Sequence, residues 1–364
     1  MNAVLGTTEP KPAIAFRRVE DFSDLGREWR ELEQRAGGSF FQSWAWTGCL
    51  AEERFSDPWL LSARRGDRVV ALGLFNRSRG ARLGLGRAFC LGETGDPAWD
   101  SVFIEHNGLL VDRNEPDDLA GRCWAALAAE GGRALWVLSG VPPTLAAMLP
   151  VERKVRRLAS RPAPYVDFSR LGDPARPLLD QLSANTRQQL RRSLRAWEKI
   201  GPLAFDIARA PAEAELFLER LKLLHQRYWI GRGKPGAFAE PKFERFHRAL
   251  LSRASPGQSI DLIRVRAGER DVGYLFNFVH DGCVSAYQSG IDFGADAERL
   301  RPGLVCHLLA IEHYRNAGMR IYDFLGGEAR YKRSFANAET ELVWLSARRV
   351  SALFSGFRKP SPQP

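Results

Sequence analysis

Apolar and polar residues alternate in two stretches of this chain, and each stretch is interrupted by a glycine turn. In WLLSARRGDRVVALGLF (residues 59–75) an apolar strand, a tight turn and a second apolar strand follow one another. DLIRVRAGERDVGYLFNF (261–278) repeats that order. Both have the signature of a β-hairpin. The match is residue by residue: Gly66-Asp67-Arg68-x-Val70-Ala71 returns as Gly268-Glu269-Arg270-x-Val272-Gly273, at an offset of 202 residues. A repeat this long fits two related α/β domains in tandem better than a solenoid with its short period.

Helical periods fill the intervals. FSDLGREWRELEQRA, FFQSWAWTGCLAEE, about Glu115 to Glu130, about Pro177 to Ile200 and about Ala212 to Ser252 read as helices, and ALWVLSGV reads as a strand. Hairpins mixed with helical crossovers predict an α/β protein with a mixed sheet. The expected boundaries are a disordered start (1–13), an N-terminal domain (14–175), a basic connecting helix (176–200), a C-terminal domain (201–358) with a helical lid at 212–252, and a disordered tail (359–364).

Tyr287 to Lys332 carries the densest candidate chemistry. It reads as strand, loop, Arg-Pro-Gly, helix, strand and glycine turn. Proline and glycine opening a helix leave the amides of Gly303, Leu304, Val305 and Cys306 beside the Arg301 guanidinium, a plausible cradle for phosphate. Asp323 sits inside the apolar strand Ile321 to Leu325, where a carboxylate needs a partner or a shifted pKa, so it is a candidate base. Glu328, Tyr331 and Lys332 follow the Gly326-Gly327 break. In AYQSGID, Gln288 and Asp292 alternate with Tyr287, and Gln288 is placed to orient an amine or a sugar hydroxyl.

Two more segments add to this picture. SANTRQQLRRSLRAWEKIG is an amphipathic helix with Arg187, Arg191 and Arg195 on one face, suited to a phosphate-rich acceptor or tRNA. LHQRYWIGRGKPGAFAEPKFERF places His225 and Trp229 beside a flexible aromatic loop that has the character of a lid. The formal net charge of +10 favours anionic partners without choosing among them. Five scattered cysteines, six histidines and no paired ligand spacing leave no expected metal. With no apolar run of membrane-spanning length and no leader pattern at the N-terminus, the expected location is cytoplasmic.

Taken together, FFQSWAW (40–46), NTRQQLRRSLRAWEKIG, the YW-x-GRG loop, RPG (301–303) and YDFLGGEARYK (322–332) resemble the CelD/BcsL-like acetyltransferases found beside cellulose and exopolysaccharide synthesis. Those belong to the GCN5-related N-acetyltransferase (GNAT) superfamily and are related to Fem-type transferases. The resemblance implies tandem GNAT-like domains, each a mixed, mostly antiparallel twisted sheet flanked by helices, with the active cleft in the second. It implies acetyl-CoA or another acyl-CoA as co-substrate, no metal, and a small-molecule or lipid-linked sugar as acceptor. A peripheral membrane or polysaccharide-synthesis complex would be the partner.

On that basis Asp323 or Glu328 is the expected base. Tyr331 would protonate the leaving thiolate, and amides beside the Tyr287 strand would hold the oxyanion. Lys332 would contact phosphate or acceptor, while Tyr287, Asp292, Arg187, Arg191, Trp229 and His225 would contact substrate. The superfamily loop (Q/R)xxGx(G/A) is incomplete here, since Arg301 is followed by PGLVC with one glycine. An aminoacyl-tRNA donor of the Fem type therefore stays open, as does a non-catalytic scaffold.

Overall fold

In the computed structural model, which describes residues 11–79, 87–173, 176–253, 257 and 259–349, both glycine turns form where the alternation places them. The expected disorder at 1–13 lies largely, and that at 359–364 wholly, outside those residues. The strands are β1 (Ala13–Arg18), β2 (Pro58–Arg65), β3 (Arg68–Arg79), β4 (Arg87–Leu91), β5 (Leu110–Val111), β6 (Leu135–Val141) and β7 (Arg153–Asp167), then β8 (Leu203–Ile207), β9 (Ile260–Ala267), β10 (Arg270–His280), β11 (Cys283–Ile291), β12 (Ile321–Asp323) and β13 (Ala338–Arg349). The helices are α1 (Ser23–Glu33), α2 (Trp44–Arg54), α3 (Leu119–Glu130), α4 (Leu145–Met148), α5 (Leu178–Gln181) and α6 (Ala184–Glu198), then α7 (Pro211–Ile230), α8 (Pro241–Arg253), α9 (Ala297–Leu300), α10 (Pro302–Asn316) and α11 (Arg330–Phe335). The hairpins β2–β3 and β9–β10 turn on Gly66 and Gly268, whose φ values of 56° and 58° are easily adopted only without a Cβ.

All the strands join one 13-stranded sheet in the order β1-β2-β3-β4-β6-β13-β7-β12-β11-β10-β9-β8, with β5 added beside β3. Each half repeats one plan. Four antiparallel strands are followed by a parallel fifth: β4 beside β6, and β11 beside β12. The closing strands are exchanged. β7 pairs with β12 of the second half, while β13 enters between β6 and β7. The α/β, mostly antiparallel sheet flanked by helices is the architecture expected from the sequence.

The basic segment divides where Ser183 caps α6, its hydroxyl accepting the Thr186 amide N–H. Leu190, Ser193 and Trp197 then turn inward, with the Trp197 indole donating to the Leu300 carbonyl at 2.9 Å. The two halves also share a core. Phe40, Phe41 and Trp46 pack with Phe246, Phe276, Phe278 and Tyr287. Phe40 stacks on Phe278 at 4.1 Å, and the Tyr287 hydroxyl donates to the Val102 carbonyl at 2.5 Å. Replacing the fully buried Trp46 by alanine is expected to cost about 3–5 kcal/mol. Because that side chain serves both halves, urea unfolding of the variant should remain a single transition at a lower midpoint.

Candidate active site

A parallel strand pair that stops pairing early leaves a gap, and each half of the sheet contains one. In the first half β4 and β6 pair only through Cys90 and Val137. Beyond that point the loop 102–108 fills the gap. Asn107 donates from its side-chain amide to the carbonyls of Leu91 (2.9 Å) and Ser139 (3.2 Å), the two strands that have parted. Gly140, with φ 63°, lets the loop approach so closely that a Cβ there would lie 2.3 Å from the Ile104 carbonyl oxygen. This half has a plug where the other has a cavity.

In the second half β11 and β12 pair at Cys283–Ile321, Val284–Tyr322 and Ser285–Asp323, then separate. From Ala286 onward β11 borders a cavity of about 950 Å³. Helix α10 begins at its edge. The first amide to bond back within that helix is Val305, to the Arg301 carbonyl, which leaves the Gly303 and Leu304 amides open. Arg301 itself takes a left-handed conformation, φ 44°, that directs the chain into the helix. Arg227, Arg232 and Arg330 join Arg301 around the cavity, and Tyr228, Trp229 and Phe293 form its aromatic wall. An anion at the mouth would meet guanidinium groups, open amides and the positive end of a helix dipole.

The interior sets neutral polar groups among apolar side chains such as Leu224, Ala286 and Ile291. Gln288, Ser289, His225, His307 and Tyr331 line it. Burial pushes His225 below its usual value; its Nδ1 faces the Ser289 carbonyl and its Nε2 accepts the Ala237 amide N–H. Burial also drives His307 down to about 3, so the imidazole is uncharged at neutral pH. Its ring stacks on Tyr331 at 4.9 Å, and burial pushes the Tyr331 phenol up to about 12. Glu298 is the carboxylate among the lining residues, and its side chain is exposed.

The cavity thus brings together Arg301, Gly303, Leu304, Gln288, Tyr287, Tyr331, Trp229 and His225 of the residues singled out in the sequence. Others lie elsewhere. Val305 and Cys306 turn into the core between sheet and helix. Arg187 and Arg191 are held by Asp180, and Asp292 pairs with Arg270. Glu328 is exposed and lines neither main cavity. Sequence reasoning did not single out Arg227, Arg232, Arg330 or His307; only the approach of α7, α10 and α11 around one gap reveals them.

Asp323 faces a different cavity of about 510 Å³ between the halves, which Ser39, Gln42 and Trp124 also line. There it makes a 2.8 Å ionic contact with Nε2 of His106, and its Oδ1 accepts the Leu325 amide N–H. The neighbouring Glu105 accepts the Gly326 amide N–H at 2.6 Å. Lys332 is buried and donates its Nζ to the Leu325 and Gly326 carbonyls at 3.0 and 2.8 Å. Burial pushes Glu105 up and Lys332 down from their usual values. The plug loop of the first half and Lys332 thus hold the turn after β12 from two sides. Nothing in the sequence linked Glu105 and His106 to that turn, beyond two titratable residues standing inside an apolar run.

Residues 184–333 match the family described as the acetyltransferase (GNAT) domain. Solved structures share the fold over about nine-tenths of the chain. FemX superposes with a TM-score of 0.62 over 92% of this chain and 97% of its own, at 10% identity. The C-terminal domain of a putative lysylphosphatidylglycerol synthetase from Agrobacterium fabrum gives 0.54 over 90% and 92%, at 13% identity. L-PGS from Bacillus licheniformis gives 0.52 over 89% and 91%, at 12% identity. No curated protein matches the chain significantly. The protein is an acyltransferase, and the family match lies in its second half. Among the described residues no helix is long and apolar enough to cross a membrane, and no cluster of His, Cys, Asp and Glu could hold a metal.

His106 gives a pH dependence whose sign is fixed. Burial lowers its pKa, but the Asp323 carboxylate outweighs burial and the net value is raised. The folded state therefore holds this proton more tightly than the unfolded chain does. The stability it contributes is complete below pH about 6.5 and is lost as pH rises through the raised value. Urea midpoints measured from pH 5.5 to 8.5 should decline less steeply in His106→Gln than in the unmodified protein.

Proposed function

We propose that the cavity beside β11 takes the acyl-CoA donor and that the protein transfers the acyl group to an amine or hydroxyl, acetyl being the simplest donor. The observation that carries this reading is the parting of β11 and β12 onto the open amides of α10, ringed by Arg227, Arg232, Arg301 and Arg330. Arg301, Arg330 and the open amides of α10 would bind the pyrophosphate, and the thioester would lie along the unpaired edge of β11. A thioester carbonyl gains negative charge as the acceptor attacks, so backbone N–H donors there would stabilise it. The C–S bond breaks as the new C–N or C–O bond forms, and the thiolate takes a proton. Tyr331 suits that step by its position on the cavity wall: burial keeps its phenol protonated, so the hydroxyl is available to donate to the departing sulfur.

Neither Asp323 nor Glu328 lines this cavity, so the base role that the sequence suggested for them has no support from their positions. We assign the acceptor's proton instead to water at the mouth. The acceptor we favour is an amino or hydroxyl group of a sugar or sugar nucleotide in surface-polysaccharide synthesis, as the CelD/BcsL-like resemblance implies. A second reading, an aminoacyl-tRNA donor, is supported by the likeness to FemX and by Arg192 and Arg195, which are exposed on α6, the helix whose Gln189 reaches the cavity.

Calorimetric titration separates the two. Acetyl-CoA should bind, and Arg301→Ala should weaken it about ten-fold, the loss of one charge-assisted contact worth about 1.4 kcal/mol. No CoA binding, with tight and salt-sensitive tRNA binding, would select the second reading. In a working assay Tyr331→Phe should lower kcat about 10²-fold with donor affinity unchanged.

A further inference from the structure

Helix α7 buries one side against the sheet, where Ala214, Phe217, Leu218, Leu221 and His225 are enclosed. Its opposite side is unusual. Leu216, Arg220, Leu223, Arg227 and Ile230 fall within about 80° of one another on a helix of 3.6 residues per turn, a stripe about 21 Å long. The three aliphatic side chains stand in solvent, 54%, 56% and 64% exposed. Between them are only arginines. Among the described residues neither Arg220 nor Arg227 has a carboxylate partner. The nearest acidic groups on the same helix are already engaged, Glu213 with the Arg209 amide and Glu219 with Arg248. The loop that follows adds Arg232 and Lys234, both exposed, and Phe293, 47% exposed, lies against Tyr228 at 4.7 Å at the same end.

We infer that this face of α7, with the 232–234 loop and Phe293, docks on an anionic bilayer surface and brings the mouth of the cavity to the lipid headgroups. The chemistry distinguishes a bilayer from other occupants. Alternating leucine and arginine suits an interface whose phosphates lie above an apolar layer, because arginine can extend to the phosphate while the aliphatic groups enter the acyl region. A polynucleotide would use the arginines but offers nothing to Leu216, Leu223 and Ile230. A second copy related by a two-fold axis would set arginine against arginine along the stripe. A basic cluster beside an apolar face is also what the negative potential of an anionic leaflet attracts. This placement gives a soluble donor and a lipid-borne acceptor access to one cavity. It does not depend on the identity of the donor, since CoA binding and vesicle binding are read separately.

The test is co-sedimentation of the full chain with vesicles of equal parts phosphatidylglycerol and phosphatidylcholine, and with phosphatidylcholine alone, at about 0.1 M salt. At least ten-fold more protein should partition to the anionic vesicles, and raising the salt should release part of it. The double variant Leu223→Asp with Ile230→Asp should lower binding at least ten-fold. Its circular dichroism and melting temperature should match the parent, because both positions are exposed. Leu216→Asp alone should weaken binding in the same direction. Equal binding to both vesicle types, no binding, or undiminished binding by the variants would overturn the inference. So would a concentration-dependent dimer, or a tRNA complex, that the same substitutions abolish.

Discussion

The pairing of β7 with β13 is the interaction on which the other features depend. Ala338–Arg349 runs antiparallel to Arg153–Tyr165 along nearly its whole length, and β13 then pairs on its other edge with β6. Each half of the chain is thereby completed by a strand from the other. A sheet closed this way has no internal edge at which the halves could separate. The shared aromatic core, the contact of Tyr287 with Val102 and the reach of His106 to Asp323 all follow from that fixed arrangement.

The duplicated plan has been put to two uses. Where β4 and β6 part, Asn107 takes the place of a ligand and satisfies the strand carbonyls itself. Where β11 and β12 part, the space is left open and surrounded by cationic side chains. The plug also serves the open site, because its Glu105 and His106 hold the turn after β12. The first half thus supports a site that it does not itself contain.

Local features of this fold were legible in the sequence, and long-range ones were not. The hairpin turns at Gly66 and Gly268 were visible because a two-residue turn depends on a glycine and its flanking alternation. The RPG start of α10 was visible for a similar reason. The exchange of β7 and β13 left no trace, since strand partners are chosen by tertiary packing. The same holds for the site. Arg301 and Tyr331 stood out from neighbouring residues, whereas Arg227 and Arg330 come to the cavity from separate helices. Lys332 looked like a mouth residue after two glycines. Its burial under the Leu325 and Gly326 carbonyls depends on how the chain turns there. Asp323 was flagged by its apolar strand, and its burial agrees with that reasoning; the partner that neutralises it comes from the other half of the molecule.

The position of β13 sets the order in which this protein can be completed. Val141 ends β6 and Ala338 begins β13, so at about 5–20 residues per second a nascent chain carries an unpaired β6 edge for roughly 10–40 s before its partner is made. During that interval the first half is an open sheet whose next strand does not yet exist. The last of the described strands lies in the middle of the sheet, and its arrival commits both halves at once.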